Sequence, residues 1–166
     1  MVEPKTTSGG LPERSQLVDQ HLRAAGLHCE IHDLPDSTRT ALEAAGALGC
    51  EVGAIASSLI FLADDEPLLV MTSGRHRVDT DALASSLGAS TVVMAPARRV
   101  REVTGQAIGG VAPVGHPTPL RTVVDVALRD YATIWAAAGT PHTVFALTYD
   151  ELVTLTRGTP IIVADG

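Results

Sequence analysis

The sequence predicts an α/β or α+β domain built on a mixed sheet. Three observations carry this expectation. Helical stretches alternate irregularly with short apolar runs, not in a regular strand–helix repeat. The runs at 52–63 (VGAIASSLIFLA) and 67–73 (PLLVMTS) are joined by the acidic turn Asp64-Asp65-Glu66, a hairpin signal. Of the 166 residues, 45% are hydrophobic and 3% aromatic, enough for one core that must be aliphatic.

Residues 1–10 are rich in Thr, Ser, Gly and Pro and are expected to be a loose tail before a single domain spanning 11–166. Pro12 suits a first helical position and Gly26 a helix end, with Leu11, Val18, Leu22 and Ala25 on the apolar stripe. HCEIHDL alternates and reads as a short strand. Ser37 or Thr40 caps a second helix; Thr40 and Glu43 have capping-box spacing and Gly49 ends it. After the hairpin, Asp79 caps the helix DALASSLG and Thr91–Ala95 is a further strand. Pro96 opens an Arg-rich helix ending near Gly105. Three more strands are expected near 120–124, 134–138 and 144–147, and Thr148 with Glu151 forms a second capping box for the last helix.

Composition excludes several function classes. No run approaches the roughly 20 apolar residues of a membrane span, and the first residues lack the apolar core of a secretory signal. Cys29 and Cys50 belong to no CxxC pair, which points to reduced, buried thiols in a cytoplasmic protein. The histidines at 21, 28, 32, 76, 116 and 142 show no HxxxH or HExxH spacing, so no metal site is expected. A net charge of −7 argues against a general nucleic-acid coat, and DNA is not an expected partner. Charge is nevertheless uneven: residues 75–121 carry six arginines against three acids, a solvated face or a local footprint for a polyanion. Lysine occurs once, at Lys5.

The most unusual stretch is TGQAIGGVAPVGH, residues 104–116, with Gly105, Gly109, Gly110 and Gly115. Glycine permits positive φ and close backbone approach, and successive free N–H groups make an anion nest or oxyanion hole; the alternative is a tight connection. It is neither a Walker loop, lacking the lysine, nor a GxGxxG fingerprint between strand and helix. A second loop, Ala138 to Thr143, is a hairpin turn or a pocket wall carrying Thr140 and His142. Asp125 ends a strand and suits a cap for the next helix or a hold on a loop amide. No GxSxG elbow or cysteine nucleophile motif is present.

In their order, these segments resemble the YbaK family, the editing domains related to the insertion domain of bacterial prolyl-tRNA synthetase. The resemblance rests on Ser37-Thr38-Arg39-Thr40, on IASSLIF at 55–61, on Met71-Thr72-Ser73-Gly74, on TGQAIGGVAPVGH with its GxxxP from Gly109 to Pro113, on LRTVVD at 120–125, on AAGTPH at 137–142, and on TYDELVTLTRG. It implies a compact, partly barrel-like mixed-sheet fold with a small pocket, free-standing in the cytoplasm and working without cofactor or metal. It implies hydrolysis of misacylated tRNA, typically tRNA-Pro carrying Cys, Ala or Ser, with the tRNA acceptor end as partner and an aminoacyl-tRNA synthetase as an associated one. Ser57, Gly109, Gly110 and His142 are then the catalytic candidates. Ser58, Val111, Pro113, Gly115, Asp125, Gly139 and Thr140 are the substrate-binding candidates. The family motif has a lysine where this chain has Ser57, and a hydroxyl carries no charge. A second reading therefore stays open: a non-catalytic module on the same fold that holds a tRNA end or a small ligand. A third is an unrelated α/β protein whose glycine loop binds a phosphorylated metabolite.

Overall fold

The structure, a computed structural model, describes residues 11–35, 38, 40–106 and 108–164; the expected tail and the cap candidate Ser37 lie outside them. The chain runs α1 (Glu13–Ala24), β1 (Ile31–Asp33), α2 (Ala41–Leu48), β2 (Ile55–Ala63), β3 (Glu66–Ser73), α3 (Thr80–Leu87), β4 (Val92–Met94), α4 (Ala97–Thr104), β5 (Arg121–Asp125), β6 (Ile134–Ala137), β7 (Thr143–Leu147), α5 (Tyr149–Thr156) and β8 (Thr159–Ile161). The local signals explain most boundaries. Pro12 precedes α1, and the Thr40–Glu43 and Thr148–Glu151 capping boxes both form. Gly49, Gly88 and Gly105 end α2, α3 and α4 in the left-handed conformation.

The eight strands form one mixed sheet in the order β1-β7-β6-β2-β3-β5-β8, with β4 paired to β2 off that path. The β2–β3 hairpin turns through Asp64 and Asp65, both at positive φ, a geometry that matches the twist of the flanking strands. Strand β3 pairs in parallel with β5, and β5 with β8. Strand β2 is shared three ways. Its antiparallel partner β3 runs along one edge. The other edge is divided: Ile55 and Ala56 pair in parallel with β6, while Phe61, Leu62 and Ala63 pair antiparallel with β4.

Both faces of the sheet are covered. Leu69 and Met71 of β3 point into a cluster with Val18 and Leu22 of α1, Phe145 of β7 and Leu152 of α5. Leu68 and Val70 point the other way, to Phe61, Leu83 of α3 and Val123. Burial on both sides is why β3 reads as a continuous apolar run instead of an alternating one.

Three details differ from the sequence reading. Ala25 lies beyond the end of α1 and is exposed. Cys29 and Cys50 are half-buried at the borders of clusters, because each flanks a short element at the rim of the sheet. Strand β8 and two 3-10 turns, Val52–Ala54 and Val126–Asp130, have no periodicity long enough to announce them. Among the described residues no helix is long and apolar enough to cross a membrane.

Phe145 is fully buried, whereas Val93 on β4 is half-exposed. Phe145→Ala is expected to lower unfolding free energy by about 3–5 kcal/mol through the cavity it leaves. Val93→Ala should change it by less than about 0.5 kcal/mol. Urea titration of the two variants checks both.

Candidate functional site

The divided edge of β2 creates the site. Beyond Ala56 the parallel partner β6 diverges, and β4 takes over only near Ile60, whose carbonyl accepts from Ala95 N at 3.0 Å. In a strand, alternate residues turn their backbone groups to alternate edges. Ile60 faces the β4 side and Ile55 O accepts from Gly74 N on the β3 side, so Ser58 presents its N–H and C=O to the undivided gap. No strand covers that gap among the described residues.

The tip of the glycine loop faces it instead. Ser57, Ser58, Gly109 and Val111 line one cleft of about 110 Å³, together with Thr40, Ala41 and Ala44 of α2, Trp135 and Ala137 of β6, and Pro141. Among the described residues no charged side chain lines it. Gly109 sits at φ +91, with Pro141 beside it. Gly110 packs so tightly that a Cβ there would fall 2.6 Å from Thr140 C and 2.7 Å from its Cα, both backbone atoms that cannot move aside cheaply. The loop is held from within. Gln106 Oε1 accepts from Ala112 N at 2.6 Å, and His116 Nε2 lies 2.8 Å from Ala112 O. Among the described residues no acceptor meets the N–H groups of Gly109, Gly110 or Val111; Gly109 and Val111 border the cleft, while Gly110 packs behind it on the Thr140 backbone.

The remaining candidates fall into three other places. His142 sits on the β6–β7 turn with Nδ1 3.0 Å from Asp33 Oδ1, and it is not among the cleft-lining residues. Thr140 shares a hydroxyl hydrogen bond of 2.7 Å with Thr143, and Gly139 at φ +99 abuts the backbone of Arg14; both hold the turn that carries Pro141. Pro113 and Gly115 line a separate groove beside α1 and α5. Asp125 is fully buried behind β3. It accepts from Ser73 N (3.0 Å), Thr72 Oγ1 (3.4 Å) and Ala127 N (2.9 Å), and lies 2.8 Å from His76 Nδ1. It caps the 3-10 turn and reaches the cleft only through Thr72, the cross-strand neighbour of Ser57.

Sequence reasoning missed Trp135 and the α2 residues of the wall; Pro141 belongs to the 138–143 loop read as a hairpin turn or a pocket wall. Trp135 is the one tryptophan of the chain, and its ring meets His32 edge-on at 5.2 Å. A lone aromatic in a short strand was the signal that could have found it. Half of the arginines of the Arg-rich stretch are paired: Arg75 with Asp130, Arg98 with Glu102 and Arg99 with Asp65. Among the described residues no group of three or more His, Cys, Asp or Glu is placed to hold a metal ion.

Comparison with known proteins agrees with this geometry. The family profile described as an aminoacyl-tRNA editing domain matches residues 35–155. YwhH of Bacillus subtilis (strain 168), described as an uncharacterized protein, is 29% identical over 74% of this chain and 78% of its own length. A proline–tRNA ligase of Bacillus licheniformis is 32% identical over 72% of this chain, which spans only 21% of that ligase. The crystal structure of a candidate trans-editing enzyme for prolyl tRNA synthetase superposes with a TM-score of 0.88 at 40% identity, covering 95% of this chain and all of that one.

Gly110→Ala is expected to destabilise the fold by about 1–3 kcal/mol, because the loop or the 140–141 backbone must shift. Gly46→Ala, in α2 with open space around it, should stabilise by about 0.5–1 kcal/mol. Calorimetric melts distinguish the two. Burial holds the His116 imidazole below its ordinary value, with nearby His21 adding to the effect against the opposing hydrogen bond to Ala112 O. The unfolded chain therefore takes up that proton first, and stability falls as pH drops below about 6.5. His116→Gln keeps a donor and does not titrate, so its melting temperature should fall less steeply with acid than that of the wild type.

Proposed function

From the premise that the chain belongs to the aminoacyl-tRNA editing-domain family, we propose that it hydrolyses misacylated tRNA in trans in the cytoplasm, on tRNA-Pro carrying Cys, Ala or Ser. One observation carries the reading: the glycine tip at Gly109 and Val111 and the open edge at Ser57–Ser58 share one small cleft. An aminoacyl ester is already activated, so the site needs placement and charge stabilisation more than a strong nucleophile. The N–H groups of Gly109 and Val111 receive the carbonyl oxygen as it becomes an oxyanion. The substrate's own thiol or a ribose hydroxyl can lead the attack on the carbonyl carbon. In the net reaction water adds across the ester, the acyl–oxygen bond breaks, and the ribose oxygen leaves with a proton. Ser57 contributes a hydroxyl beside the carbonyl. Alanine-rich walls and Trp135 limit the side chain, where one methylene is worth about 1–3 kcal/mol of discrimination.

A second reading is favoured by Ser57, an uncharged hydroxyl on the open edge of the cleft: binding of the aminoacyl end without turnover. Incubation with Cys-, Ala- and Ser-charged tRNA-Pro decides between them. Editing predicts release of at least one amino acid faster than in buffer, and Ser57→Lys should raise that rate by about 10²-fold, the worth of one oxyanion donor. No release at ample protein, with Trp135 fluorescence still titrating on a non-hydrolysable aminoacyl-adenosine analogue, leaves the binding module. Neither release nor titration removes both readings.

A further inference from the structure

The glycine loop has a stem as well as a tip, and the stem borders a different surface. Its two legs, 104–106 and 113–117, are tied together by Gln106, whose side chain meets Ala112 N on the way to the tip and Val114 O on the far leg. Two grooves of about 350 and 300 Å³ flank this stem and share His21, Gly115 and His116, so they form one continuous channel. Arg14 lies at one end and Arg157 at the other, and no Asp or Glu lines either groove. In a chain with 19 acids against 12 lysines and arginines that is an uncommon strip of surface. The acids resume beyond Arg157, where Asp150 and Glu151 line the next groove.

Neither arginine is held in an ion pair among the described residues, although Arg157 also borders the groove of Asp150 and Glu151. The Arg14 guanidinium donates to the carbonyl of Gly105, a neutral acceptor, and Arg157 has no ion pair among the described residues. Arg157 also holds a left-handed backbone conformation that α2, α3 and α4 give to glycine at their ends. It ends α5 at φ 54, where Gly49, Gly88 and Gly105 end α2, α3 and α4 at about the same angle. A side chain in that region is strained against the backbone. An arginine retained against that strain points to a use for its side chain. The grooves and the cleft lie on neighbouring residues of the same loop. Only Ala112 separates Pro113 in the groove from Val111 in the cleft, and Arg14 abuts Gly139 on the turn that carries Pro141.

We propose that this channel holds the sugar-phosphate strand that precedes the esterified nucleotide, with Arg14 and Arg157 each meeting a backbone phosphate. The inference rests on the editing reading, which supplies a strand whose end lies in the cleft. His116 stays neutral through burial, so the two arginines carry the attraction at neutral pH.

The test is a salt series of tRNA-Pro binding, read by anisotropy, for the wild type and an Arg14→Gln/Arg157→Gly double variant. The glycine relieves the strained φ, so the fold is not put at risk at that position. Each phosphate contact to a single strand contributes a log–log salt slope of about 0.7, so the double variant should lose about 1.4 of slope. Between 50 and 200 mM salt its affinity should fall about sevenfold less than that of the wild type. Arg98→Gln, whose partner is Glu102, should leave the slope unchanged. An unaltered slope in the double variant, with wild-type binding intact, overturns the channel and leaves editing standing. The wild type is assayed in parallel on aminoacyl-adenosine, which has no backbone phosphate; failure there counts against the cleft and not the channel.

Discussion

One strand with too many partners organises this molecule. β2 gives one edge wholly to β3 and splits the other between a parallel partner and an antiparallel one. Two strands arriving from opposite directions cannot meet without a break, and at the break the backbone groups of Ser58 have no ladder to join. Buried polar backbone left unpaired is costly, so such a gap must be wet, covered or used. The chain brings a glycine turn to it. A turn with side chains would fill the space, and at Gly110 even one Cβ would collide with the facing backbone. The cleft is thus a consequence of sheet topology, and glycine keeps it open.

The floor under that cleft is fixed from behind by a buried carboxylate. Asp125 collects the Ser73 amide, the Thr72 hydroxyl, the Ala127 amide and the His76 ring in the interior of the fold. Each such bond is worth more than a neutral pair, and losing any of them leaves a buried group unmet. The cluster locks the end of β3 to the turn after β5. Since Thr72 stands opposite Ser57, it also sets where the edge of β2 lies relative to the glycine tip. Asp125 itself lies one side chain removed from the cleft.

Local structure was legible where local chemistry decides it. Thr40 with Glu43, Thr148 with Glu151, the paired aspartates of the hairpin and the glycine stops all act within a few residues, and all appear where the sequence puts them. The glycine loop and Ser57 were also legible, as an unusual composition and as a family motif. What could not be read was the product of long-range pairing. The split edge of β2 depends on residues near 94 and 135 reaching the same strand. His142 and Asp125 were grouped with the loop because they sit in neighbouring motifs, yet the fold turns one toward Asp33 and buries the other behind β3. Half of the conspicuous arginine run is paired with acids, two of them from outside the run, whereas the grooves beside the loop stem are assembled from positions 14, 21, 116 and 157, which no sequence window contains.

Charge and neutrality are therefore separated in space, and the separation has a chemical logic on the editing reading. A cleft lined by amides, hydroxyls and small apolar groups stabilises a charge that exists only in the transition state, since fixed dipoles in a poorly solvated site act strongly and need no reorganisation. A cation placed there would also bind the ground-state carbonyl and any stray anion. Attraction for a polyanion is better applied at a distance, on a surface where phosphates dock before and after the reaction without change. The loop joins the two jobs through one rigid element: its tip presents N–H groups, and its stem, cross-linked by Gln106, borders the arginines. In such an arrangement affinity and rate can be tuned separately, because the residues that attract the strand do not face the bond that breaks.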